Sequence, residues 1–95
     1  MRSYEIMFIV HPDLDDTALT ALMEKAKGWV TGTGGEVTQV DLWGRRRLAY
    51  PIRKQTEGQY VLIQSQMPPT GTGEVERNMR LTEQIMLFQV VRTDE

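Results

Sequence analysis

The sequence predicts an α+β fold: a four-stranded antiparallel sheet with two helices packed on one of its faces. Three observations carry that prediction. Apolar periodicity alternates between the two-residue and the 3.6-residue repeat in the order strand, helix, strand, strand, helix, strand. The first strand, Tyr4 to Val10, is apolar on both sides, with Ile6, Phe8 and Val10 on one and Met7 and Ile9 on the other, as suits the middle of a sheet. The long second strand contains Pro51, whose missing N–H suits an edge. The βαββαβ order is the split βαβ or ferredoxin-like arrangement. Its usual strand order, 4-1-3-2, makes the first and third strands central and the second an edge.

Each element has its own local reason. His11-Pro12 stops the first strand, because proline restricts its predecessor and cannot continue a central ladder. A helix should start near Asp15 or Asp16 and run to about Thr31, with Leu19, Leu22, Met23, Ala26 and Trp29 or Val30 along one face. Gly32-Thr33-Gly34-Gly35 ends it. The second strand is expected over residues 36–54, interrupted by a bulge at Gly44. Gln55-Thr56-Glu57-Gly58 should turn it into a third strand, Gln59 to Met67, closed by Pro68-Pro69. A second helix is expected from Gly73 to Leu81, with Thr72 as N-cap and Val75, Met79 and Leu81 inward. The last strand should cover Gln84 to Arg92, followed by a frayed acidic tip, Thr93-Asp94-Glu95. Alternation puts Ile6, Phe8, Val61, Ile63 and Phe88 in the core together with Leu48, Tyr50 and Ile52. It leaves Glu5, Met7, Tyr60, Leu62, Leu87 and Gln89 on the open face.

Ninety-five residues predict one domain, residues 1–95. With no cysteine there is neither a disulfide framework nor a thiolate metal site. No apolar run approaches the ~20 residues of a membrane span, and no signal-peptide pattern opens the chain. A cytoplasmic protein with no membrane association is expected.

The charge is unevenly distributed. Residues 43–54 hold Arg45, Arg46, Arg47, Arg53 and Lys54, five of the eleven basic residues, and no acidic one. The remaining six basic and thirteen acidic side chains leave the rest of the chain at −7. Charge on an edge strand guards against edge-to-edge association. It also recognises anions, a nucleic-acid backbone above all. The pattern itself does not choose between these.

An enzyme fails on inventory. His11 is the only histidine and has no placed partner for acid–base work. Asp13, Asp15 and Asp16 at a helix start suit capping and the helix dipole better than a divalent ion, and no metal or other cofactor is expected. Acyl-phosphate enzymes of this topology bind their anion in the loop after the first strand, where this chain carries three carboxylates. A small-molecule regulatory domain of the same topology is the other alternative, but such domains usually belong to longer chains. No small-molecule substrate is expected. A single-strand RNA reader would need ring spacing that Gly58-Gln59-Tyr60-Val61-Leu62 lacks, and Met7 offers no ring. What remains beside edge protection is a scaffold-type RNA binder using Arg45, Arg46 and Arg47, Arg53 and Lys54, with Arg2 and Arg92 meeting across adjacent strands. Within the run, Arg45 and Arg47 should point away from Leu48, Tyr50 and Ile52, and Arg46 should lie over the rim of the helix-covered face.

The segment Gly44-Arg45-Arg46-Arg47-Leu48-Ala49-Tyr50-Pro51-Ile52 resembles the signature of the bacterial small-subunit ribosomal protein six family. Arg2-Ser3-Tyr4-Glu5-Ile6, the turn His11-Pro12-Asp13-Leu14, Glu57-Gly58-Gln59-Tyr60 and Val90-Val91-Arg92 fall at that family's spacings too, so the likeness spans the chain. The resemblance implies a structural component of the small ribosomal subunit, without catalysis. It further implies binding to the central domain of small-subunit ribosomal RNA alongside that subunit's protein eighteen. By position it implies RNA or partner contacts at Arg2, Tyr4, Arg45 to Arg47, Lys54 and Arg92. The edge around Asp41, Leu42, Arg45, Arg46, Arg47, Leu48 and Ala49 is the candidate for the protein partner.

Overall fold

In the computed structural model, which describes residues 1–94, the elements follow the expected order. They are β1 (Arg2–Val10), α1 (Asp16–Gly32), β2 (Glu36–Ile52), β3 (Gln55–Met67), α2 (Thr72–Arg80) and β4 (Ile85–Arg92). All strands pair antiparallel in the order β2-β3-β1-β4, the expected arrangement with β2 at an edge. Both helices cover one face. There Tyr4, Ile6, Phe8 and Val10 of β1 and Val61, Ile63 and Met67 of β3 meet Leu19, Leu22, Ala26 and Val30 of α1 and Val75 and Met79 of α2. Phe88 and Val90 of β4 pack at the margin of this core.

Local chemistry explains the helix ends. Asp15 caps α1, its Oδ1 accepting from the Ala18 N–H at 2.8 Å, and Asp16 adds negative charge to the first turn. Gly34, at φ +88°, takes the left-handed conformation beyond the C-terminus. The second helix departs from expectation at both ends. A 3-10 turn over Pro69–Gly71 runs straight into α2, so Thr72 is already helical and its hydroxyl donates back to the Pro69 carbonyl instead of capping. Leu81 lies beyond the last turn and is exposed, not inward.

The long hairpin differs more. It turns at Arg53-Lys54, two residues earlier than the expected Gln55 to Gly58, with Ile52 paired to Gln55. Both turn residues have positive φ, 50° and 66°, as a two-residue hairpin turn requires. Leu48, Tyr50 and Ile52 do not join the helix-side core. Leu48 packs with Ile9 and Met86 in a second cluster on the opposite face, flanked by Met7, Ile52 and Tyr60, while Tyr50 is 61% exposed. The far end of β2 therefore curls over one end of the otherwise open face. Nor is the end of the chain frayed at Thr93 and Asp94. The Thr93 N–H donates to the Ser3 carbonyl and the Ser3 N–H donates to the Asp94 carboxylate. The expectation for Glu95 lies outside the described residues.

Candidate nucleic-acid interface

The basic run sits where β2 bends. At the Gly44 bulge, Trp43 and Gly44 together stand opposite Tyr60. Gly44, at φ +80°, adopts a conformation that side chains resist. Past the bulge, strand alternation separates the three arginines. Arg45 is opposite Gln59 on the helix side, Arg46 opposite Gly58 on the open side, and Arg47 opposite Glu57. The relative alternation is the expected one, but its sense is inverted: Arg45 lies on the helix side and Arg46 does not. The cause is Leu48, which shares the face of Arg46 and packs against the sheet face the helices leave bare.

The three side chains consequently have different surroundings. Arg45 Nη2 donates to the Pro12 carbonyl at 2.7 Å, and its Nη1 lies 3.8 Å from the Glu57 carboxylate. Gln59 beside it donates to the Leu14 carbonyl at 2.9 Å, so the two residues together hold the loop after β1. The Arg46 guanidinium sits 5.4 Å from the centroid of the Trp43 ring, within reach of a cation–π attraction. That ring is stacked on Tyr60, with centroids 6.1 Å apart and an interplanar angle of 12°. Sequence reasoning assigned Trp43 no role; the bulge is what turns its ring onto the open face beside Tyr60. Arg47 is exposed. Along the same edge Asp41 accepts from the Gln39 amide, and Leu42 and Trp43 are 52% and 46% exposed. Ala49 is exposed as well.

At the hairpin tip Lys54 and Arg53 are both exposed, and Arg53 alone folds back onto the protein surface. Its Nη1 donates to the Glu83 carbonyl at 2.7 Å and its Nη2 to the Ile85 carbonyl at 3.2 Å.

A second basic group occupies the opposite end of the sheet. Arg2 pairs in register with Met67, eight residues along β3 from Gln59, the partner of Arg45. At the usual rise of a strand that separation is roughly 26 Å. Arg2 and Arg92 both lie close to Asp94. The Ser3 N–H, then the Arg92 guanidinium at 3.0 Å, then the charge of Arg2 hold that carboxyl below the usual aspartate range. Tyr4, opposite Arg92, is buried in the helix-side core. The structure thus gathers the expected residues into two groups, an edge group and a corner group, buries Tyr4 in the core and ties the exposed Arg53 to the Glu83 and Ile85 carbonyls.

The loop after β1 does not suit an anion. Its groove, about 360 Å³, is lined by His11, Asp13, Leu14, Glu83 and Gln84, with carboxylates on both walls. The His11 ring accepts from the Asp13 N–H, and Asp15 is occupied as a cap. Among the described residues no three His, Cys, Asp or Glu side chains converge on a metal position.

Known proteins agree with this architecture. The family described as Ribosomal protein S6 matches residues 3–92. The chain is 47% identical to the small ribosomal subunit protein bS6 of Clostridium novyi and 44% identical to that of Desulforamulus reducens, with each comparison covering both chains completely. The crystal structure of 30S ribosomal protein S6 from Thermotoga maritima superposes with a TM-score of 0.92 at 31% identity, covering 97% of this chain and 87% of that one. A match of sequence and fold along the chain, joined to a basic edge strand, leads to one conclusion: the chain belongs to the ribosomal protein S6 family, structural and non-enzymatic proteins of the cytoplasmic small ribosomal subunit.

Proposed function

We propose that this protein binds the central domain of small-subunit ribosomal RNA together with the subunit's protein eighteen. The observation that carries the reading is the edge strand β2, bent at Gly44, which with the turn that follows it presents Arg46, Arg47 and Lys54 to solvent on a chain whose remainder is acidic. Guanidinium and ammonium groups so displayed meet phosphate without first giving up a buried partner. Contacts of this kind position a protein on RNA and leave sequence largely unread. The corner pair Arg2 and Arg92 supplies a second, distant anchor for the same backbone.

The protein partner is assigned to the accessible part of β2, at Asp41, Leu42, Arg46, Arg47 and Ala49, since Arg45 is bonded to the loop after β1 and Leu48 is buried. Three large apolar side chains, Leu42, Trp43 and Tyr50, are exposed along this one strand, an arrangement that supports an interface with a protein. The small-molecule and acyl-phosphate alternatives have no such support, since the groove after β1 is acidic.

Co-purification of tagged protein with small ribosomal subunits from its own cell, followed by reconstitution on a central-domain transcript with and without protein eighteen, tests the proposal. Association with the subunit, and tighter RNA binding when protein eighteen is present, are expected. Absence from the subunit, or RNA affinity indifferent to protein eighteen, would contradict it.

A further inference from the structure

We infer that Arg53 is a positioning residue, a strut across the sheet that fixes the basic arm of β2 in place. Pairing of β2 with β3 is regular from Gly44 opposite Tyr60 to Arg47 opposite Glu57 and then fails until Ile52 meets Gln55. Four residues, Leu48 to Pro51, thus stand against Thr56 alone, and Pro51 has no N–H to donate. A hairpin interrupted in this way can hinge at the interruption. Two things oppose that motion. Leu48 and Ile52 lie on Ile9 and Met86, an area small beside the main core. Arg53 then reaches from the tip of the edge hairpin to the far edge of the sheet and grips two carbonyls at the entry to β4 with the two arms of its fork.

The backbone at the tip supports the assignment. Arg53 and Lys54 both occupy left-handed conformations that asparagine or glycine adopt more easily. The two-residue turn imposes that conformation on both residues, and at Arg53 it leaves the guanidinium on the two carbonyls. Lys54 presents the same charge one residue on, to solvent. The pair divides the work: both are exposed, but the Arg53 guanidinium lies back along the surface and holds two carbonyls, while Lys54 points to solvent. Because a lysine cannot reproduce two diverging hydrogen bonds, the strut depends on the guanidinium and not on the charge.

Amide hydrogen exchange on Arg53→Lys, Arg53→Met and Lys54→Met separates these roles without RNA. Arg53→Lys, unchanged in net charge, is expected to speed exchange over residues 48–56 about tenfold, and Arg53→Met at least as much. Lys54→Met should stay within about twofold of the parent, and the amides of Ile6 and Phe8 should be unaffected in all three. The RNA measurement rests on the proposed function. Loosening the arm should lower affinity for the central-domain transcript about threefold or more at every salt concentration, with a parallel salt dependence. Unchanged exchange in Arg53→Lys would overturn the strut. So would a shallower salt dependence in Arg53→Met with exchange intact, which marks a phosphate ligand, or acceleration of Ile6 and Phe8 together with the arm. Should the parent bind no RNA, the exchange result still decides the strut while the proposed function fails.

Discussion

Single side chains in this fold are decided by which face they meet. Phe8 is fully buried between β3, β4 and the helices. Phe8→Ala therefore leaves a cavity and should destabilise by about 3–5 kcal/mol, read from the shift in denaturation midpoint. Asp94 behaves differently, because its carboxyl is stabilised as the anion by the Ser3 N–H and by Arg92. A carboxyl depressed in the folded state contributes stability above its unfolded pKa and loses it as pH falls through the folded value. The clasp between the chain ends should therefore be closed at neutral pH and open in acid, below the normal aspartate range. The Ser3 amide resonance, followed by NMR from pH 7 to pH 2, should titrate below that range, and Asp94→Asn should abolish the transition. A titration at the ordinary aspartate position would show that the clasp is absent.

Whole elements were legible where one periodic pattern met one face. The two-sided β1, the capped α1 and the edge position of β2 follow from residues such as Met7, Asp15 and Pro51 without tertiary information. The second half of β2 was legible only in part. Leu48 and Ile52 do share a side, but which face they cover depends on the curl of the hairpin, a tertiary fact that alternation cannot encode. The misplaced turn has a similar origin. Gly58 reads as a turn glycine, yet it lies within β3, where a Cβ would collide with Ile9 and crowd Met86. The turn itself uses Arg53 and Lys54, whose left-handed backbone leaves no glycine signature. Gly58→Ala should accordingly leave the turn intact and disturb the packing of β3 on β1. A loss of about 1–3 kcal/mol is expected by chemical denaturation, and a neutral result would mean the close approach is absent. The candidate site was visible as a charge block. Its division was not, because Arg45 and Arg53 find their partners in Pro12, Glu83 and Ile85, distant in sequence.

At the scale of the molecule, the net charge of −2 conceals a positive arm on a body of −7. Such polarity orients a protein on a polyanion, with the arm inward and the acidic body away. Arg46 and Arg47, exposed on opposite sides of the arm, should each contribute to that orientation, whereas Arg45 is committed to the loop after β1. The measurement that bears most directly on this is the salt dependence of binding to the central-domain transcript, with protein eighteen present, for Arg46→Met and Arg47→Met beside the parent. Removing one phosphate ligand should reduce the slope of log affinity against log salt by about 0.7–0.9. A reduction of that size in at least one variant, with affinity lowered, is the predicted result. Slopes equal to the parent's in both would contradict it, and the arm would then serve protein pairing and protection of the sheet edge.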